Sequence, residues 1–124
     1  PEQKKAYHDK AVEIFKSITT AETTNHLPIV MAYQMLARLS NTDSQKPLAE
    51  VHDYYIKVLS ESEDEAIKSK AANARFEAAR YLFFYYVTDP TTNKVEATKY
   101  AGILKSIRPD DNFTKMAVEH VKTM

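Results

Sequence analysis

Four histidines are the residues of this chain best able to do acid–base or metal chemistry, and two of them, His8 and His52, are each followed by an aspartate, Asp9 and Asp53. His8, His26, His52 and His120 stand far apart and lack both the His-Glu-x-x-His spacing of a helical zinc site and the ligand ladder of a calcium loop. Consecutive residues leave a helix axis about 100° apart, so neither His–Asp pair is expected to form a dyad directly. His52 shares a helical face with Leu48, Val51 and Tyr55, which reads as a core histidine bonded to a neighbour. The carboxylates cluster in "ESEDE", residues 61–65, where helix capping accounts for them. No nucleophile elbow and no Gly-rich phosphate loop occur, and the absence of Cys removes thiolate catalysis, disulfides and thiolate metal sites together. The expected role is therefore non-enzymatic, with no catalytic residue, cofactor or metal.

The elements that would position any site are helical. Gly102 is the only glycine in 124 residues, so nearly every β-turn of a sheet protein would lack its usual residue, whereas helices have no such need. Seventeen basic side chains balance seventeen acidic ones, which leaves no net field to draw nucleic acid. No apolar run approaches the roughly 20 residues of a membrane span. Residues 1–124 read as a single domain, and the start at Pro1 suggests a processed chain or a piece of a longer one. Nothing marks a compartment: a soluble cytoplasmic setting is favoured, with periplasmic or secreted settings open.

About six helices are expected. The first spans Gln3 to Ile18 and ends in "TTAETTN"; the second starts near Asn25 or His26 with Pro28 in its first turn and reaches Leu39. Ser44 is expected to cap the third, which carries Pro47 in its first turn and ends near Leu59. Ser62 with Glu65 reads as a capping box opening one long fourth helix to Val87, roughly 37 Å at about 1.5 Å per residue. Asn93 with Glu96 opens the fifth, Pro109 follows its end, and Asn112 caps a short sixth. Short connections make neighbouring helices antiparallel. Gly102 inside the fifth helix marks either a close helix contact or an exposed glycine that is merely tolerated.

Five rings occupy six positions in "YLFFYY", residues 81–86, and on a helical wheel they leave no polar side. This end of the fourth helix is expected to be wrapped by neighbours. Its first half carries a polar stripe, Lys70, Asn73, Glu77 and Arg80, opposite Ala72, Phe76 and Ala79, and is expected to open to solvent.

The odd-numbered helices of this set share a template: Ala11, Ile14, Phe15 and Ile18 recur as Val51, Tyr54, Tyr55 and Val58, and as Ala97, Tyr100, Ala101 and Leu104. The offsets of 40 and 46 residues match a helix pair with its loops. "DKAVEIFKSI", residues 9–18, resembles the second helix of a tetratricopeptide repeat, and "VEATKYAGILKSIRP", residues 95–109, resembles the same helix with its closing proline, Ala97 and Pro109 standing twelve apart. "LAEVHDYYIKVL", residues 48–59, is similar more loosely. The chain thus resembles a divergent tetratricopeptide-repeat protein (TPR-like), with Ala37 or Ala78 as stand-ins for the small residue of the first helix type. The resemblance implies antiparallel helix pairs stacked as a right-handed α-α superhelix, and a scaffold whose groove receives a peptide or partner protein. Partner-binding residues implied by it are Lys70, Asn73, Glu77 and Arg80, joined by Gln34 and Arg38 of the second helix. That polar stripe also fits a plain solvated face. Two other roles stay open: a self-associating helical domain forming a homo-oligomer through its end helices, and an all-helical enzyme or small-ligand carrier using the pocket around Phe83 and Tyr86.

Overall fold

The computed structural model describes residues 2–21 and 25–124; residues 22–24 of the Thr-rich stretch lie outside them. Among the described residues seven helices follow one another: α1 (Glu2–Thr19), α2 (Leu27–Ser40), α3 (Ala49–Glu61), α4 (Glu65–Lys68), α5 (Ala72–Val87), α6 (Lys94–Ile107) and α7 (Asn112–Lys122). No strand occurs among the described residues, so the chain is all-α. Helices pack mainly in chain order, α1 on α2, α2 on α3, α3 on α5, α5 on α6 and α6 on α7, and α2 also touches α5.

Contacts between opposite ends show the antiparallel arrangement. His26 before α2 meets Glu61 at the end of α3 at 2.7 Å, and Arg108 after α6 donates to Asn73 at the start of α5. The shared template explains the stacking. Val51, Tyr55 and Val58 of α3 and all four template residues of α6 are buried, each helix lying between two others. In α1 the template is only half-covered, with Ile14 51% exposed, because α2 is its one substantial contact.

The helix boundaries correct four expectations. Ser62 does not open the fourth helix: its hydroxyl is buried and donates back to Val58 O at 2.6 Å, closing α3. Asp64 caps α4 instead, accepting from Ala66 N at 2.9 Å. The long helix is also broken, with a tightened turn at Ser69–Ala71 in which Ala72 N donates to Ser69 O, so α4 and α5 are separate. Ser44 and Pro47 precede α3 without capping it. No side chain caps α3; the chain just before it is instead held from across the fold, where Leu48 N donates to the Tyr81 hydroxyl at 3.0 Å. Asp111, not Asn112, caps α7, accepting from Phe113 N at 2.8 Å. Asn93 caps α6 as expected, accepting from Glu96 N at 3.2 Å.

The aromatic end of α5 is ringed by neighbours but not sealed. Leu82 and Phe83 are buried, while Tyr81, Phe84, Tyr85 and Tyr86 are half-buried. The rings serve three directions: Tyr81 meets Tyr55 of α3 at 5.2 Å between centroids, Tyr86 stacks on Tyr100 of α6 at 5.8 Å, and Phe83 meets Phe113 of α7 edge-on at 5.9 Å. The first half of α5, expected to face solvent, is the better buried. Ala74, Arg75, Phe76, Ala78 and Ala79 are all inside, because alanines let α3 and α6 approach closely on either flank. Only Asn73 and Arg80 are exposed along that half.

Arg75 is the buried cation of this core. Its guanidinium donates to Leu59 O at 3.1 Å and to Ser62 Oγ at 2.6 Å, satisfying the C-terminus of α3 where no glycine closes it.

Gly102 is exposed, and a methyl group added there would meet nothing within 4 Å, so no close helix contact requires it. Gly102→Ala is expected to stabilise the fold by about 1 kcal/mol, lifting Tm by roughly 3–5 °C in a thermal melt followed by circular dichroism.

Candidate functional site

The half-buried carboxylate of Glu77 draws three helices together. It accepts from Gln34 Nε2 at 3.1 Å and from Arg38 through both Nε, at 3.0 Å, and Nη2, all from α2. The Tyr55 hydroxyl of α3 donates at 2.7 Å to Oε2, the oxygen that Arg38 Nε also meets. Burial alone would raise the Glu77 pKa, but the hydrogen bonds from Arg38, Tyr55 and Gln34 outweigh it and hold the carboxyl below its ordinary value. Burial, reinforced by the same carboxylate, pushes the Tyr55 hydroxyl far upward, so it stays a donor. A wheel cannot show this, because Gln34 and Glu77 are 43 residues apart.

Around this junction the surface is hollowed. A recess of about 490 Å³ is lined by Tyr55, Glu77, Arg80, Tyr81, Phe84 and Phe113, among others. It shares Glu77 and Arg80 with a second recess of about 310 Å³ that reaches Asn73, Arg108 and Asp111. It shares Phe84 and Phe113 with a third, about 170 Å³ and almost wholly apolar, that adds Met116 and His120. The three form one trough along α5, charged at the helix start and apolar at its end.

Of the six residues singled out from the sequence, Gln34, Arg38 and Glu77 converge on one another, with their polar groups spent on the helix junction. Asn73 accepts from Arg108. Arg80 lies with its guanidinium 4.5 Å from the Phe113 ring centre and has no carboxylate partner among the described residues. Lys70 is exposed in the turn before α5 and lines none of the three recesses. Sequence reading missed Tyr55, Arg108 and Phe113. Arg108 was within reach of it, since it follows Leu104 by four residues and so sits on the face that α6 turns toward α5.

The histidines form no centre. His52 and Asp53 do meet, Nδ1 to Oδ1 at 2.9 Å, against the expectation from their 100° separation, and His8 lies 3.6 Å from Asp9. The wheel angle describes the Cα–Cβ bonds, whereas Nδ1 lies close to the backbone and a short aspartate can lean back to it. The other His52 nitrogen lies 2.7 Å from the Tyr86 hydroxyl, so both ring nitrogens are engaged. No group of three or more His, Cys, Asp or Glu able to hold a metal occurs among the described residues. No described helix is long and apolar enough to cross a membrane.

Compared with protein-family models, with curated proteins and with solved structures, the chain matches none of them. Its class thus rests on its own geometry: an all-α chain of consecutively packed helices with a two-character trough along α5.

Because the folded-state pKa of Glu77 is depressed, its contribution is present above the unfolded value near 4.3 and is lost as pH falls through the folded one. Glu77→Gln is expected to flatten the acid limb of the stability curve below about pH 4.3. Glu77→Ala, which strands the donors of Gln34, Arg38 and Tyr55, is expected to cost about 2 kcal/mol at pH 7 in urea unfolding.

Proposed function

We propose that the chain is a non-enzymatic, TPR-like interaction scaffold that holds an extended peptide or a segment of a partner protein in the trough along α5. The observation that carries this reading is the continuity of the three recesses. Arg80, Phe84 and Phe113 stand at their junctions, and Tyr55 of α3, the exposed side of α5 and Phe113 and Met116 of α7 line one hollow shared by three helices. The Glu77 junction supports it from beneath. A binding surface works best when its shape is held before the ligand arrives, and four donors on one carboxylate hold α2, α3 and α5 in register.

Peptides selected from an unbiased displayed library should shift amide signals of Arg80, Phe84 and Phe113 when titrated into isotope-labelled protein. A selection that yields no binder, or binders that map outside α5 and α7, would refute the scaffold reading.

One observation favours self-association as a second reading. Tyr7 and Ile14 lie two helical turns apart on the outer side of α1, 70% and 51% exposed, where no helix covers them. Sedimentation velocity over a hundredfold range of concentration separates the readings. Association that is lost in Ile14→Glu supports the second, and a constant monomer removes it.

A further inference from the structure

We infer that the occupant of the trough is an extended segment in which a side-chain carboxylate stands two residues from a large apolar residue. This inference rests on the scaffold reading and assigns its ligand chemistry. Two arginines face the charged half of the trough, and neither has an acidic partner among the described residues. Arg80 lies on the Phe113 ring, and Arg108 lies 4.5 Å from the centre of the Phe76 ring while donating to Asn73. The acidic groups lining the same recess are already committed. Glu77 is neutralised by Arg38, and Asp111 accepts the Phe113 and Thr114 N–H groups at the start of α7. With Arg38 counted, three guanidinium groups face two carboxylates, leaving the recess one positive charge in excess in a chain whose formal net charge is zero.

Guanidinium groups spread flat on aromatic faces keep their N–H edges free, and those edges match a carboxylate in paired geometry. The apolar half begins one helical turn further on. Phe84 follows Arg80 by four residues, about 6 Å along α5. Beyond it Phe113 and Met116, the latter 47% exposed, line the apolar recess of about 170 Å³. An extended chain advances about 3.3 Å per residue, so residues two apart span about 6.6 Å, close to that helical step, and point to one side. A carboxylate on Arg80 therefore places the side chain two positions away over Phe84 and Phe113. A second acidic residue earlier in the segment comes within reach of Arg108.

The probe is a fluorescein-labelled, C-terminally amidated peptide, Gly-Ser-Glu-Ser-Glu-Ser-Phe-Ser-Gly, read by fluorescence anisotropy. Binding is expected to weaken at least tenfold in Arg80→Glu and less in Arg80→Gln, with each variant shown to be folded by its thermal melt. Affinity should fall as salt rises, as it does for exposed charge pairs. Replacing both glutamates by lysine should abolish binding to the wild type and restore it to the Arg80→Glu, Arg108→Glu double variant. Moving phenylalanine next to glutamate should weaken binding several-fold. The inference is overturned if the glutamate and lysine peptides bind wild type equally, if binding requires a free terminal carboxylate, or if the amidated acidic peptide fails to bind at about 1 mM, the weakest range worth calling recognition. Neutral or basic peptides from the unbiased library that still map to Arg80 and Phe113 would remove the acidic assignment and leave the scaffold standing. A library that yields no trough binder would remove both.

Discussion

One carboxylate holds the centre of this molecule. Glu77 projects from the first half of α5, and its two oxygens take hydrogen bonds from α2 and α3 at once. A half-buried charge loses hydration, and the loss is recovered only where donors replace the water. Here Gln34, Arg38 and Tyr55 do so, and the depressed pKa of the carboxyl is the sign that they succeed. The direct contact between α2 and α5, two helices that are not neighbours in the chain, coincides with this junction. Without it the helices would still stack in order, but nothing polar would set the angle at which α2 closes over α5.

A second buried charge acts at the other flank of α5. Arg75 reaches the last turn of α3 and supplies the donors that a C-terminal glycine motif would otherwise supply. Both charged residues lie on the first half of α5, among Ala74, Ala78 and Ala79. Small side chains bring the neighbouring helices close, and the charged ones fix their register. The aromatic half works differently. Tyr81, Phe83 and Tyr86 reach α3, α7 and α6 in turn, and rings such as the buried Phe83 each contribute roughly 1.5–3 kcal/mol through burial. Because these rings point outward in three directions, the surface between them is left hollow, and the trough is the result.

The helical class was legible from one glycine and from apolar residues recurring at helical spacing. So were most helix positions, and so was the Asn93 cap, because a cap read correctly needs only local chemistry. Ser62 shows where local reading fails. It has the residue type and spacing of a capping box, yet its hydroxyl turns back to Val58 O at the end of α3 and is held there by Arg75, a partner that only the folded chain brings near. The start of α3 has the same cause, the N–H of Leu48 just before it being met by Tyr81 from 33 residues away. The polar stripe was legible as a stripe, but not its division of labour. Glu77 with Gln34 and Arg38 serves the junction, while Arg80 remains turned toward the trough.

By itself the amino-acid sequence determined an all-α chain, the positions of most of its helices, and the central place of the helix that carries the rings, because periodicity, capping and glycine content are properties of short stretches. Only the tertiary structure decided that the expected long helix breaks at Ser69–Ala71, that Arg75 is enclosed, and that Arg80 and Arg108 face one recess while Glu77 is already satisfied. The physical reason is distance along the chain. Hydrogen bonds and ring contacts between residues 13 to 43 apart depend on how helices dock, and no periodicity of a single helix records that docking.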